Sequence, residues 1–272
     1  AIDGRVFLSL LQKIDNANSQ KEYYLTDAVA VAVADGLKTG VVVAPEQDVM
    51  GINDRVQLAA AEQILQKRLR QAAMQAGVTM QDPDTVYLSH DTHFARDVTL
   101  GPHCVFAPGV RVETGAMIHA FSHLAGCHIG PHTTVGPFAR VRPGTQTAAH
   151  VRIGNFVEVK NADLDDDVKI NHLSYVGDAR VGAGANIGAG TITCNYDGFG
   201  KHHTEIGAGA FIGSDTALVA PVTIGKGAYV ATGSVITESV PDDALAFGRA
   251  RQITKPDRGR LLRSQLKKNS HQ

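Results

Sequence analysis

The most chemically informative residue of this sequence is a histidine with polar neighbours. His172 lies in the segment Asn171-His-Leu-Ser-Tyr-Val-Gly-Asp178, directly after Ile170, which belongs to a long repeat. A histidine titrates near neutral pH, so an exposed one can take a proton from an amine that attacks an acyl group. The repeat predicts a surface position for His172, which makes it our candidate general base. Because it is one of 12 histidines, a side chain that only caps a turn is the alternative.

Two cationic side chains point to a phosphate site. Arg142, in Arg140-Val-Arg-Pro-Gly144, and Lys160, in Gly154-Asn-Phe-Val-Glu-Val-Lys160, are 18 residues apart. If one coil of the fold takes about 18 residues, this spacing stacks the two side chains on one face. A guanidinium and an ammonium group together suit a phosphate, since the guanidinium makes paired hydrogen bonds. The same spacing also fits a solvated basic stripe, and the residues alone leave both interpretations open.

The elements that must position these side chains follow from a six-residue repeat. Its members are Leu100, Phe106, Val112, Ile118, Leu124, Ile129, Val135, Val141, Thr147, Ile153, Val159, Leu164, Ile170, Val176, Val181, Ile187, Thr193, Ile206, Ile212, Leu218, Ile224, Val230 and Ile236. Six residues suit one flat face of a triangular prism, so about three hexads form one turn of a parallel β-helix. A β-sandwich would alternate with period two, and a coiled coil would show heptads with few glycines. The polar, glycine-rich step between Thr193 and Ile206 predicts a protruding loop.

Composition limits the class of protein. The chain has 272 residues and a formal net charge of −1, so we expect no nucleic-acid partner. We expect no membrane partner either, because no apolar run approaches the ~18 residues that a bilayer span requires. The three cysteines form no even disulfide framework, which favours a cytoplasmic location. One local exception to the charge balance is the basic segment from Arg249 to Lys268.

The first 80 or so residues lack the repeat. We predict short helices at Val6–Leu11 and Ala28–Leu37, and a short strand at Val41–Ala44. A long helix is predicted to begin at Asn53 or Asp54 and to end near Ala76, before Gly77. Its predicted apolar stripe consists of Leu58, Ala61, Ile64, Leu65, Leu69 and Ala72.

Several motifs together resemble one known family. They are Gly188-Ala-Gly-Thr-Ile-Thr-Cys-Asn-Tyr-Asp-Gly198, His172-Leu-Ser-Tyr-Val-Gly-Asp178, Gly154-Asn-Phe-Val-Glu158, Gly213-Ser-Asp-Thr216, Val219-Ala-Pro-Val222, Glu22-Tyr-Tyr-Leu-Thr-Asp27 and Gly51-Ile-Asn-Asp-Arg55. They closely resemble the bacterial bifunctional N-acetylglucosamine-1-phosphate uridyltransferase/glucosamine-1-phosphate acetyltransferases, and the resemblance covers essentially the whole chain. It implies a mainly β fold, a left-handed parallel β-helix of hexapeptide repeats, preceded by a partial α/β segment and a linker helix.

The resemblance also implies an activity and its site. Acetyl-CoA and glucosamine 1-phosphate would react to give N-acetylglucosamine 1-phosphate, a step toward UDP-N-acetylglucosamine for peptidoglycan and lipopolysaccharide. His172 matches the general base. The acceptor pocket would consist of Arg142, Lys160, Tyr175 and Asn186, and the acetyl-CoA positions would be Ala189, Asn195, Tyr196, Ser214, Thr232 and Arg249. Thr232 departs from the alanine common in the family. The family forms trimers in which neighbouring β-helices build each site, so we expect a homotrimer.

The departure from the family lies at the amino-terminal side. The uridyltransferase half of the family has a glycine-rich nucleotide loop and an aspartate that binds Mg²⁺, and this sequence contains neither. Asn53 matches a second metal position, which would serve only in a complete uridyltransferase domain, since one neutral ligand does not hold Mg²⁺. We interpret the chain as part of a longer bifunctional enzyme. Its expected parts are a uridyltransferase remnant (1–55), a linker helix and connection (56–83), the acetyltransferase β-helix (84–241) and a basic tail (242–272).

Two further hypotheses stay open at this point. A hexapeptide acyltransferase could use a different amine or hydroxyl acceptor. The chain could instead be a structural β-helix or one related to γ-carbonic anhydrase. The latter needs three metal-ligand histidines that converge between subunits, and His119, His123 and His128 form the nearest cluster. Their loose spacing and the lack of acidic support argue against a metal site.

Overall fold

The structure is a computed structural model that describes residues 1–269, with side chains through residue 267. The predicted tail therefore ends in three residues, 270–272, that lie outside the described part. The chain forms two compact units, one from Ala1 to Ala61 and a second that begins at Glu62. Its helices are α1 (Gly4–Leu11), α2 (Asp27–Ala34), α3 (Arg55–Gln75) and α4 (Arg258–Asn269), with short 3-10 turns at Glu46–Asp48 and Pro83–Thr85. None of the helices in residues 1–269 has both the length and the apolar character needed to cross a membrane.

The long helix begins and ends for the expected reasons. The Asp54 carboxylate accepts a hydrogen bond of 2.7 Å from the backbone N–H of Gln57, which satisfies one of the free donors of the first turn. At the other end, Gly77 has a φ of +104°, a conformation that stops a helix and favours glycine. The predicted bounds of α3 are thus confirmed within about one residue.

Two local predictions are wrong. Val41–Ala44 forms no strand, and Val41, Val42 and Val43 are each 92% exposed. A β-prone run needs a partner strand, and the described residues of the first unit contain none. The predicted stripe on α3 is wrong at Leu58 and Leu65, which are exposed. Leu69 of the stripe does pack against the core, and Gln66 and Arg70 are buried beside it.

The second unit is a parallel β-helix with three faces, and the strands of each face pair in parallel with those one coil away. The first face contains β1 (Thr79–Met80), β4 (Thr99–Leu100), β7 (Met117–Ile118), β10 (Thr134–Val135), β13 (Arg152–Asn155), β15 (Lys169–His172), β17 (Asn186–Ile187), β20 (Phe211–Ile212), β23 (Tyr229–Val230) and β25 (Leu245–Ala246). The strands therefore extend from Thr79 to Ala246.

Two strands are long enough to turn a corner and belong to both other faces, β14 (Glu158–Leu164) and β16 (Tyr175–Val181). The rest of the second face is β2 (Tyr87–Leu88), β5 (Val105–Phe106), β8 (His123–Leu124), β11 (Arg140–Val141), β18 (Ile192–Cys194), β21 (Ala217–Val219) and β24 (Val235–Ile236). The rest of the third face is β3 (His93–Phe94), β6 (Arg111–Val112), β9 (His128–Ile129), β12 (Gln146–Thr147), β19 (Thr204–Ile206) and β22 (Val222–Ile224).

The residues of the six-residue repeat form the core, as predicted. Ile153, Ile170 and Ile187 occupy successive coils of the first face in register, and each is at most 2% exposed. Every other member of the repeat is buried as well. Side chains on either side of each repeat position point outward, because strand residues alternate between the two sides of a sheet. The core thus decides which residues form the three outer surfaces.

The corner between the first and second faces, called the first corner below, carries a ladder of stacked rings. His103, Phe121, Phe138 and Phe156 stack with centroid separations of 4.8 to 5.2 Å, and the next coil places Leu173 there. All five have φ between +50° and +61°, which is uncommon for bulky residues. The three phenylalanines remain 45–55% exposed. A strained, exposed aromatic row of this kind indicates a functional surface.

Helix α3 covers the open edge of the first coil. The backbone N–H and C=O of Leu88 point away from β5, and the Gln66 side-chain amide meets both, at 2.9 and 2.7 Å. Arg70 lies beside it and pairs with Asp84 at 2.9 Å. An uncovered sheet edge invites pairing with other chains, so Gln66 acts as a cap for the repeat. This role explains why Gln66 and Arg70 are buried on this helix although both are polar.

Replacing Gln66 by alanine should destabilise the β-helix. The change leaves the buried Leu88 N–H and C=O without partners, which costs about 1–3 kcal/mol in the free energy of unfolding. Urea denaturation followed by circular dichroism measures this difference. Gln63→Ala, at an exposed position of the same helix, is the matched control and should change the free energy by less than about 0.5 kcal/mol. Equal stability of the two variants would contradict the capping role.

Candidate functional site

His172 is the last residue of β15, at the first corner, and its side chain is exposed as predicted. The ring Nδ1 lies 2.7 Å from Oδ1 of Asn155, the residue directly below it in the preceding coil. An amide oxygen only accepts hydrogen bonds, so this contact places a proton on Nδ1 and leaves a lone pair on Nε2. The arrangement gives a solvent-facing imidazole in the tautomer that a general base requires.

The corner that holds His172 continues as a row of small or polar residues. Extending the strand register by two residues places Ala189, Ser214 and Thr232 one above another in the following coils. Arg249 lies at the same end, with its side chain 3.7 Å from the position of a Cβ added to Gly233. Gly188, next to Ala189, has no room for a side chain, since its Cβ would lie 2.6 Å from the backbone nitrogen of Ser214. The coils therefore approach closely along this row.

Arg142 and Lys160 stack on neighbouring coils, as their spacing predicts. The backbone N–H of Arg142 donates to the carbonyl of Val159 at 2.8 Å, which places Arg142 beside Lys160 at the end of the second face. The Arg142 guanidinium is not free, because its Nη1 lies 2.7 Å from Oε1 of Glu158. Two cations on successive coils, partly exposed to solvent, form a surface that suits a phosphate.

A buried carboxylate organises the residues above this pair. Asp178 Oδ1 accepts a hydrogen bond of 2.7 Å from Asn161 and lies 3.6 Å from Lys160 Nζ. Its Oδ2 accepts from the Asn195 amide, and the same amide nitrogen lies 3.3 Å from the Tyr175 hydroxyl. Asp178 as a whole is only 8% exposed.

The pKa of the Asp178 carboxyl reflects these contacts. Burial raises it, but hydrogen bonds from Asn161 and Asn195 and the charge of Lys160 lower it by more, so the net pKa shift is downward. Asp178 therefore stays ionised at neutral pH despite its burial, and Lys160 keeps an anionic partner.

The loop predicted after Thr193 is confirmed as a small, ordered projection. Tyr196 and Lys201 pair across it, with the Lys201 Nζ 4.3 Å above the tyrosine ring. Asp197 holds the turn by accepting from the backbone N–H groups of Phe199 and Gly200 and by pairing with His202 at 2.6 Å. The N–H of Gly200 and then His202 lower the pKa of Asp197. The aromatic ring of Phe199 stands at the tip, 98% exposed.

One chain does not bring all the predicted acceptor residues together. Tyr175 lies on the second face beside Glu158. Asn186 instead lies on the first face, between Lys169 and Phe211. The two faces meet at the first corner, so outward side chains on them point in different directions. Asn186 is thus separated from the rest of the predicted pocket within the chain.

Three residues that take part in this geometry were not among the predicted site residues. Asn155, Glu158 and Asp178 each contact a predicted one, namely His172, Arg142 and Asn195 respectively. Each partner lies 16 or 17 residues away in the sequence. A search for polar pairs one coil apart would have found them, because that is the spacing of neighbours in this fold.

The described residues do not fit a metal. Within one chain they contain no cluster of three or more histidine, cysteine or acidic side chains that could hold an ion. Asn53 lies in an exposed segment before α3, where the positive end of the helix dipole disfavours a cation. Its neighbour Asp54 is engaged as the helix cap. This donor set does not suit Mg²⁺, and we derive no metal chemistry from it.

Part of the β-helix is similar to a known family of hexapeptide-repeat proteins. Residues 203–238 match the family model for the bacterial transferase hexapeptide (six repeats). Among solved structures, LpxA from Acinetobacter baumannii is 15% identical with a TM-score of 0.46, covering 68% of this chain and 77% of that one.

Curated relatives are much more similar in sequence. The bifunctional protein GlmU of Azorhizobium caulinodans is 58% identical over 97% of this chain and 59% of its own length. That of Bradyrhizobium sp. is 59% identical over 94% of this chain and 57% of its own length. The chain thus spans about six tenths of the length of these relatives. With such identity along nearly all of its residues, the chain is similar to one part of the bifunctional GlmU proteins.

Proposed function

We propose that the chain transfers the acetyl group of acetyl-CoA to the amine of glucosamine 1-phosphate, giving N-acetylglucosamine 1-phosphate and CoA. The observation that carries this proposal is the 58% identity to a bifunctional GlmU protein along 97% of the chain. The geometry supports it, because the exposed His172 and the stacked Arg142 and Lys160 supply a base and a phosphate site.

In this reaction His172 Nε2 removes a proton from the acceptor nitrogen as the nitrogen attacks the acetyl carbonyl. The carbon–sulfur bond then breaks, and the CoA sulfur leaves and takes up a proton. Asn155 holds the imidazole in place through Nδ1, so no rearrangement is needed when Nε2 gains charge. A base of this kind contributes about 10²- to 10⁴-fold to the rate.

The acetyl-CoA partner would lie along the first corner. Ala189, Ser214 and Thr232 form a row that leads away from His172 toward Arg249, so a long thin molecule along it would present its thioester end to the base. Arg249 and the other basic residues of the tail would face the CoA phosphates. Asn195, which contacts Tyr175, and Tyr196 in the loop that follows would line the junction of the cofactor and acceptor sites. The exposed Thr232 leaves the backbone beside it accessible, so its departure from alanine does not obstruct this path.

A homotrimer would complete the acceptor site. Asn186 on the first face and Tyr175 on the second face meet only if the first face of one copy approaches the second face of another. The exposed ladder of Phe121, Phe138 and Phe156 lies at the corner between these faces and would be buried by such an assembly. The third face carries a charged network instead, in which Arg180 pairs with Asp165 and Glu205, and it would remain in solvent. A threefold arrangement around the first corner satisfies all of these features.

The rest of the proposal follows from the family. The protein would act in the cytoplasm, in agreement with its three unpaired cysteines, and its product would enter UDP-N-acetylglucosamine synthesis. A uridyltransferase activity that depends on Mg²⁺ would belong to the longer proteins of the family and not to the residues described above.

Replacing His172 by alanine should lower kcat by about 10²- to 10⁴-fold, because the variant lacks the base while the binding residues remain. Thiol release from acetyl-CoA in the presence of glucosamine 1-phosphate measures the rate. His90→Ala, at another exposed histidine, is the control and should retain full activity. A His172→Ala rate close to that of the unmutated protein would rule out the assigned base.

Removing a cation of the phosphate site should weaken acceptor binding. Lys160→Ala should raise the KM for glucosamine 1-phosphate about tenfold or more and leave the KM for acetyl-CoA nearly unchanged, since a charged hydrogen bond to phosphate is lost. Lys226→Ala, at an exposed corner, serves as the control. If glucosamine without phosphate reacts as fast as glucosamine 1-phosphate, the phosphate site is wrong and another acceptor becomes the better hypothesis.

A charge in the aromatic ladder should separate the subunits. Phe156→Glu places a carboxylate among stacked rings at the threefold contact, so sedimentation should show monomers with little acetyltransferase activity. Gln146→Glu adds the same charge on the third face and should leave the trimer intact. An active Phe156→Glu monomer would contradict a site shared between copies.

A further inference from the structure

The carboxylate of Asp178 is a buried charged group of the second unit that the proposed reaction does not use. It is 8% exposed and takes hydrogen bonds from two different amides, those of Asn161 and Asn195. Its backbone adopts a φ of +50°, which aspartate and asparagine tolerate better than most residues. Burying an ionised carboxylate costs free energy unless hydrogen bonds and an opposite charge compensate it. A buried Asp178 therefore suggests a specific role.

The contacts of Asp178 determine the orientation of Asn195. An ionised carboxylate can only accept hydrogen bonds, so the Asn195 group that faces it must be the amide nitrogen. The second hydrogen on that nitrogen is then directed toward the Tyr175 hydroxyl oxygen, 3.3 Å away. Both hydrogens of the amide are thereby used, and the Asn195 side chain, in a residue that is only 5% exposed, is held in one orientation.

This orientation also decides what Tyr175 can do. A tyrosine hydroxyl has one hydrogen to donate, and here its oxygen accepts from Asn195. The hydroxyl hydrogen is consequently left to donate to a ligand on the second face, next to Arg142 and Lys160. Lys160 is drawn to the same place, because its Nζ lies 3.6 Å from Asp178 Oδ1.

We propose that Asp178 is a positioning residue for the acceptor: it fixes the Asn195 amide, which makes the Tyr175 hydroxyl a donor toward the phosphate of the sugar. This role rests on the proposed acetyl transfer to glucosamine 1-phosphate. Asp178 itself does not touch the substrate and acts through the chain Asp178–Asn195–Tyr175.

The test replaces Asp178 by asparagine in the full chain. The variant keeps the shape of the side chain and tolerates the backbone φ, but its neutral amide is a weaker acceptor and offers hydrogens where Asn161 and Asn195 also offer them. We expect kcat/KM for glucosamine 1-phosphate to fall about ten- to a hundredfold, mainly through the KM for this acceptor. The KM for acetyl-CoA should change less, although Asn195 is also among the proposed cofactor residues. Asp167→Asn is the matched control, an exposed aspartate with a φ of +60°, and should stay within twofold.

A double-variant cycle separates positioning from a structural role. If Asp178 acts through Asn195 on Tyr175, Asp178→Asn combined with Tyr175→Phe should cost no more in kcat/KM than the more damaging single change. Additive losses would overturn the proposal, as would an Asp178→Asn variant within twofold of the unmutated protein. Should Asp178→Asn fail to fold, Asn195→Ala with Tyr175→Phe provides the same cycle at the middle link, and additive losses there would also overturn it.

The outcome for the unmutated chain separates this inference from the proposed function. Absence of thiol release with glucosamine 1-phosphate overturns both. An active unmutated chain whose Asp178 variant is equally active overturns only the role of Asp178.

Discussion

Stacking of identical inward positions between parallel strands is the interaction on which the rest of this structure depends. Ile153, Ile170 and Ile187 show it most simply, since each lies on the one before and none meets solvent appreciably. Burying one such side chain contributes about 1.5–3 kcal/mol, and each coil gains this only from its neighbours. A slip by one residue would turn the whole aliphatic set outward, so the register is strongly determined.

Because the buried side chains of successive coils are in strict register, the outward side chains of those coils also line up in rows. Residues 17 or 18 positions apart become neighbours, which is how Asn155 reaches His172 and how Arg142 comes to lie beside Lys160. The rows are rigid because their backbone takes part in sheet hydrogen bonds. A ligand that binds along such a row would meet side chains whose positions are set before binding, which lowers the entropic cost of binding it.

The acceptor site combines opposite charges before any ligand arrives. Arg142 is paired with Glu158 and Lys160 with Asp178, so both cations are oriented but also partly neutralised. A phosphate that binds there must compete with these carboxylates for the two cations.

The sequence by itself determined the periodic part of this protein. The six-residue repeat predicts the β-helix, the buried positions, the loop after Thr193, and the stacking of Arg142 on Lys160, because a repeat that fills a core also fixes which residues lie outside. The helix cap at Asp54 and the helix end at Gly77 were also predictable, because each depends only on residues next to it in the sequence. The whole-chain resemblance supplied the candidate roles of the remaining site residues.

Only the tertiary structure decided which polar groups meet. Whether a residue contacts the one 16, 17 or 18 positions earlier depends on five-residue steps and on the reach of each side chain, so the spacing offers Glu158 and Asp178 only among several possible polar pairs. The buried side of α3 was mispredicted because its hydrophobic pattern does not record that Leu88 needs partners for its backbone. Val41–Ala44 lacks a partner strand. Strand pairing depends on two segments, so the sequence of one segment cannot predict it, whereas hexad periodicity can be recognised within a single segment.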